Sequence, residues 1–264
     1  LQSYSPAQLA GLLKYMSPEE QAEAAHLIED DLCRQWVVSH DRGPMYWLRH
    51  RTRTFNHHWQ QQGLPAEAPF PYKPFRDRVI DLDALPFPHE FTTLDPPDYL
   101  DVLMGFMLFT KDIGPADELW VPKTRTMITS WLAVGRISWQ CQFYPQIEWI
   151  GQSESDEKAQ GNIKYANALY ANQEQWQKDL HPLKSGVDGT MHKIEWANGS
   201  AFRAVASGVR KLASSHPYGY FNDETAHQSG AEATINIAKP AVKQVICVSS
   251  VAPGYFWNEV SQAV

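Results

Sequence analysis

A chain of 264 residues, 43% apolar and 20% charged, is long enough for one large α/β domain and ordinary in composition for a globular protein, which excludes disorder as its general state. Its net charge of −7 excludes a global field that attracts nucleic acid, so any such contact must come from a local basic patch. Cys33, Cys141 and Cys247 have no C-x-x-C spacing and cannot all pair, no apolar run approaches the ~18 residues of a membrane span, and the N-terminus lacks a signal pattern, so the chain reads as cytosolic.

The first third reads as helical. Ser5-Pro6-Ala7-Gln8 and Ser17-Pro18-Glu19-Glu20 each place a capping hydroxyl, a proline at the first helical position and Gln or Glu three residues on. The second helix is expected to reach about Val38. Residues 63–97 are dense in proline and weak in periodicity, which marks a connector across a surface. The expected division is an N-terminal helical region, 1–62, and an α/β core, 63–264. In that core, strands at Glu118–Val121 and Gln146–Ile150 alternate with helices at Ser130–Phe143 and Asp156–Asn172, the pattern of a mainly parallel sheet with crossover helices. Asn198-Gly199 between Met191–Trp196 and Ala201–Ala206 is a hairpin signal. Tyr218–Asn222 and Val245–Ser250 are further runs of strand length.

The segment WVPKTRTMITSW, Trp120 to Trp131, carries the ingredients of a phosphate loop. An apolar strand ends at Val121, Lys123 and Arg125 supply cations, and hydroxyls at Thr124, Thr126, Thr129 and Ser130 open an apolar helix. The usual G-x-x-x-x-G-K-[ST] spacing fails: with Ser130 in the last position, Thr129 falls on the lysine slot, Ile128 on the second glycine and Lys123 on the first. A lysine at 123 is still long enough to reach the same phosphates from the opposite side. Taken alone, the segment is a basic strand-to-helix turn.

In YGYFNDETAHQ a buried strand delivers Asp223 and Glu224 to its C-terminal edge, where open α/β sheets bind ligands. Such a pair suits nucleoside triphosphate hydrolysis, with Asp223 on magnesium and its hydration shell and Glu224 orienting water. It equally suits a helix start, where acids favour the dipole. Asn222 is a polar intrusion in the strand. VICVSSVAPG ends another apolar strand at Ser249 and Ser250, whose hydroxyls could sense a γ-phosphate or the attacking water.

In this order, VPKTRTMITSWL, QIEWIGQSESDEKA, IEWANGSAFRAVASG, PYGYFNDETAHQ and VICVSSVAPG resemble the N-terminal ATPase domain of the large terminase subunit, the DNA-packaging motor of tailed bacteriophages. They span Trp120 to Asn258, and the Asn-Gly-Ser hairpin followed by a strand and the acidic pair is the most specific part. The resemblance implies a P-loop ATPase of the RecA-like class with a mainly parallel central sheet flanked by helices and an N-terminal helical extension. It implies ATP and Mg2+ as cofactors: a Walker A loop from Lys123 to Ser130, taking in Met127, with Lys123 as the phosphate cation and Arg125 as a second contact, a Walker B acid at Asp223, a catalytic Glu224, and a coupling motif at Ser249 and Ser250. Ile128 and Thr129 depart from the family pattern, and either Thr129 or Ser130 reaches the magnesium. Arg210, with Lys211 beside it, is the candidate arginine offered to a neighbouring subunit, and Arg203 is the second choice. The implied partners are double-stranded DNA, the portal protein, the small terminase subunit and further copies in a ring, in the cytoplasm of the infected bacterial host. The family's C-terminal nuclease does not follow Val264, so an isolated domain or truncated product without DNA cleavage is expected.

Other features read more plainly. His57-His58, His181, His192, His216 and His227 have no metal-ligand spacing. The basic stretch Arg49 to Arg53 is a solvated helix face or a phosphate contact, and Tyr72 and Phe75 are core aromatics or an adenine platform. The competing functional readings are a catalytically degraded P-loop fold kept as an assembly module, and a helicase-like ATPase.

Overall fold

The computed structural model describes residues 5–35, 43–52, 99–108, 117–123, 129–184, 191–207 and 216–262. Both expected capping boxes form. Ser5 Oγ accepts from the Gln8 N–H and Gln8 Oε1 from the Ser5 N–H at 2.8 Å, opening α1 (Pro6–Leu12), and Ser17 and Glu20 do the same for α2 (Pro18–Arg34). Helix α2 ends before the expected Val38, which lies outside the described residues with all of the proline-rich connector.

The inward face of α2 explains why these helices stay on the core. Asp30 and Cys33 are buried. Asp30 accepts from Arg34 at 2.8 Å and meets His181 Nε2 at 2.6 Å, and the Cys33 carbonyl accepts from the Trp139 indole. Cys33 joins Met45, Trp47 and Leu48 of α3 (Pro44–His50), and Met104 and Met107 of α4 (Tyr99–Leu108), in the same apolar cluster as the central sheet. Of the basic stretch, Arg51 is tied to Glu29 and to Glu174 at 3.6 Å, with 19% of its side chain exposed. That pairing holds it away from the phosphate contact considered for this stretch.

Six strands form one sheet in the order β1-β6-β5-β2-β4-β3. They are β1 (Asp117–Lys123), β2 (Glu148–Ser153), β3 (Lys193–Glu195), β4 (Ala201–Ala206), β5 (Gly219–Asp223) and β6 (Gln244–Ser250). All neighbouring pairs are parallel except β3–β4, the expected hairpin. Helices α5 (Thr129–Phe143) and α6 (Asp156–Ala171) follow β1 and β2; α7 (Gln175–Leu180), α8 (Ala231–Ala238) and α9 (Tyr255–Gln262) complete the set among the described residues. The α/β class and mainly parallel sheet read from the sequence are the ones observed. Gly219 opens β5 because a Cβ there would lie 2.4 Å from the Trp149 ring.

Helix α5 is buried nearly all round, polar residues included. Arg136 donates to Gln140 Oε1 at 2.5 Å and lies over the Trp139 and Trp149 rings. Burial lowers its pKa to about 10, which leaves it charged at neutral pH. The helix ends on the hairpin turn: Asn198 Nδ2 reaches the carbonyls of Cys141, Gln142 and Tyr144 at 2.9, 3.0 and 3.2 Å, while Gly199 supplies φ 86°. Ser200 Oγ donates to the Tyr144 carbonyl at 2.7 Å. The Asn-Gly-Ser run thus caps the helix whose other end carries Ser130. Asn198→Ala strips that cap from buried carbonyls and is expected to destabilise the fold by about 1–3 kcal/mol, read as a lower denaturant midpoint at unchanged m-value.

Candidate nucleotide site

Strands β1, β6, β5 and β2 run in parallel, so their C-terminal ends share one edge, the edge at which such sheets bind ligands. The register sets Lys123 opposite Ser250 and pairs Asp223 with both Val248 and Ser153. Helix α5 starts just beyond β1 and brings Ser130 to the same edge.

Three side chains close around the Lys123 ammonium. Nζ lies 3.0 Å from Ser130 Oγ, 3.1 Å from Glu224 Oε1 and 3.5 Å from Asp223 Oδ1, with 14% of the lysine side chain exposed. Ser130 Oγ donates to Asp223 Oδ1 at 2.9 Å, and Ser250 donates to Glu224 Oε2 from both its N–H and its hydroxyl at 3.3 Å. Burial raises the Asp223 pKa against the opposing pull of Lys123 and Ser130. For Glu224 burial also pushes upward, but Lys123 and Ser250 outweigh it and the pKa is lowered. Two adjacent carboxyls are therefore driven apart in basicity, with the more exposed one held ionised.

The backbone is arranged to present Glu224. This residue sits in the left-handed region at φ 58°, ψ 44°, uncommon for a residue with a Cβ and a frequent mark of functional positions. Its N–H donates to the Val248 carbonyl at 2.7 Å, and the chain then enters a single 3-10 turn, Thr225–His227. Asn222, the polar intrusion, anchors that turn: its Nδ2 donates to the Tyr220 hydroxyl at 2.9 Å, and its Oδ1 accepts from Thr225 Oγ1 at 3.1 Å and Gln228 Nε2 at 2.6 Å. Gln228 Nε2 also reaches the Asp223 carbonyl at 2.7 Å. Each of these groups is buried, so the network fixes the acidic pair by satisfied polar bonds.

The structure thus brings together Lys123, Ser130, Asp223, Glu224 and Ser250. Of the two hydroxyls considered for magnesium, Ser130 faces Asp223 and Thr129 is buried at 1% exposure. Ser249 departs from the expectation: it is fully buried and accepts from the Ala226 N–H at 3.0 Å, because consecutive strand residues face opposite ways. It supports the turn from beneath. Arg203, half exposed on β4, pairs with Glu148 at 2.7 Å. Thr124, Arg125, Thr126, Met127, Ile128, Arg210, Lys211, His57, His58, Tyr72 and Phe75 lie outside the described residues. His227 and Gln228, not singled out as site residues from the sequence, also belong to this edge. For His227 the signal was its place three residues after Glu224, since residues three apart eclipse in a 3-10 turn; for Gln228, which reaches Asn222 and Asp223, the sequence carried none.

The donor set fits magnesium. Ser130 Oγ and Asp223 Oδ1 are hard oxygens 2.9 Å apart, a pair that leaves room for the waters and phosphate oxygens this ion keeps, and the Lys123 ammonium already marks their meeting point as a place for positive charge. Among the described residues no group of three or more His, Cys, Asp or Glu could hold a metal by itself. A separate cavity of about 490 Å3, between the Thr225–His227 turn and α9 and lined by Gly230, Ala231, Asn236, Pro253 and Tyr255, includes none of the converging residues. Among the described residues no helix is long and apolar enough to cross a membrane.

No protein-family model matches the sequence, and no curated protein matches it. Among solved structures, the chain is similar to the HK97 bacteriophage large terminase, with 14% identity and a TM-score of 0.46 over 67% of this chain and 36% of that one. The Thermus phage P74-26 large terminase ATPase domain matches with 11% identity and a TM-score of 0.40, over 54% of this chain and 63% of that domain. A mutant of that domain matches with 14% identity and a TM-score of 0.37, over 54% and 64%. The chain therefore covers about a third of the HK97 protein and just under two thirds of the P74-26 domain.

Proposed function

We propose that the chain is an ATPase motor domain of a viral DNA-packaging terminase. The observation that carries this reading is the convergence of Lys123, Ser130, Asp223, Glu224 and Ser250 on one sheet edge. Lys123 turns its ammonium from the carboxylates to the β- and γ-phosphates of ATP. Ser130 and Asp223 would hold a magnesium ion, which would supply neutralisation of the charge developing on the phosphate oxygens. Glu224 orients the attacking water with one carboxylate oxygen fixed by Ser250, and Arg125 adds a second phosphate contact. Arg210 serves the site of a neighbouring copy in a ring that moves double-stranded DNA through the portal, with the small terminase as partner, in the cytoplasm of an infected bacterium.

A second reading has one specific observation in its favour. The usual lysine slot holds Thr129, which is buried at 1% exposure and brings no cation, so a degraded fold acting as an assembly module remains the alternative. Titration of Mg-ATP into the Glu224→Gln protein separates the two, because the substitution slows loss of the ligand to hydrolysis. Saturable binding that requires magnesium and is weakened about a hundredfold by Lys123→Ala supports the ATPase; no binding, or binding indifferent to Lys123, moves the assignment to the assembly module.

A further inference from the structure

His227 is an exposed residue at the end of the turn that follows Glu224, and its ring is within hydrogen-bond distance of the serine that holds Glu224. Its N–H donates to the Glu224 carbonyl at 3.0 Å, which fixes the two residues on one turn, and its Nε2 lies 2.8 Å from Ser250 Oγ. Ser250 Oγ is in turn 3.3 Å from Glu224 Oε2. A serine hydroxyl has one proton, so it can give that proton to the imidazole or to the carboxylate but not to both. A bare Nε2 would take it and leave Glu224 Oε2 with the Ser250 N–H alone. An Nε2–H instead donates to Ser250 Oγ, and the hydroxyl proton is then free to point at the carboxylate.

We propose that His227 is a positioning residue for Glu224, acting through Ser250: its Nε2–H orients the Ser250 hydroxyl toward Glu224 Oε2. The inference rests on the reading of Glu224 as the group that orients water. A carboxylate only accepts, so the charge of Glu224 draws the Ser250 proton and favours the donor form of Nε2. The 3.3 Å separation from Ser250 to Glu224 is at the long end for a hydroxyl donor, so its worth depends on the direction of the proton. Removing the imidazole leaves the Ser250 hydroxyl free to rotate, so its bond to Glu224 Oε2 is no longer directed and that oxygen is held steadily by the Ser250 N–H alone.

Long-range proton–nitrogen spectra of the nucleotide-free chain read the ring directly. Wild type is expected to show a single tautomer with Nε2 protonated, and Ser250→Ala to relax it to a mixture; a bare Nε2, or a tautomer indifferent to Ser250→Ala, overturns the proposal. Hydrolysis assays give the second readout. His227→Ala is expected to lower kcat about tenfold with KM within about twofold, the loss due to misdirected positioning. His227→Gln, whose amide nitrogen falls at the position of Nε2, is expected to recover most of that rate, and His227→Ala in a Ser250→Ala background to cost nothing further. An unchanged kcat, an effect confined to KM, or losses that multiply in the double variant each overturn the proposal. Mg-ATP binding that ignores Lys123 refutes the ATPase reading instead, and the spectra then decide alone whether the histidine orients the glutamate.

Discussion

Glu224→Gln is expected to lower ATP turnover about a thousandfold while leaving Mg-ATP affinity within about threefold of wild type. The amide is isosteric, and its oxygen can still accept from the Ser250 N–H, so the left-handed turn has no reason to rearrange. What disappears is the negative charge that polarises water in the transition state, which raises the barrier by about 4 kcal/mol. Lys123 meanwhile loses its 3.1 Å carboxylate partner, which frees it for phosphate and offsets any loss in binding. Single-turnover hydrolysis beside equilibrium binding checks both halves; a variant that still turns over at the wild-type rate removes Glu224 from the chemistry. The pH profile carries the same sign. Because Lys123 and Ser250 hold the Glu224 pKa below the usual carboxylate value, the base stays ionised through the neutral range. Lys123 exerts that pull in the nucleotide-free protein, so kcat/KM, which reports the free enzyme, should fall on the acid side only below the usual carboxylate range on account of this group.

The candidate site was legible in the sequence to the extent that its residues end strands. A short apolar run followed by a charged or hydroxyl residue states both that a strand stops and what stands at its tip, which is how Lys123, Asp223, Glu224 and Ser250 could be named. The parallel order of β1, β6, β5 and β2 then brings those tips together, and the two-residue period of a strand decides which of two neighbouring serines faces the site. Which of Ser249 and Ser250 turns to the edge is not legible in the sequence, because the parity of β6 is set by its partners on either side and only the register reveals it. Asn222 looked like a defect in an apolar strand. Its purpose depends on Tyr220, Thr225 and Gln228 closing around it, a network assembled by a turn whose left-handed entry at Glu224 has no glycine or asparagine to announce it. The docking of α2 on the core was hidden for a similar reason: Asp30 reads as a surface acid until His181, far along the chain, meets it.

Lys123→Ala is expected to weaken Mg-ATP binding about a hundredfold, the worth of losing two charge-assisted contacts to phosphate. Its effect on the nucleotide-free protein is the sharper test of the arrangement. In wild type the ammonium pulls both carboxyl pKa values down, enough to leave Glu224 lowered while Asp223, more deeply buried, stays raised. Without it both groups lose their chief source of compensation, and each is left beside a like charge. A lowered folded pKa contributes stability that is present above the unfolded value and lost as pH falls; a raised one contributes stability that is present at low pH and lost as pH rises. Removing Lys123 converts Glu224 from the first kind toward the second and pushes Asp223 further into it. The stability gap between wild type and Lys123→Ala should therefore be small near pH 4 and widen to about 3 kcal/mol at pH 7. Denaturant unfolding across that range measures it. A gap that stays constant with pH would mean that Lys123 contributes no more than packing, and that the two carboxylates are held by the serines alone.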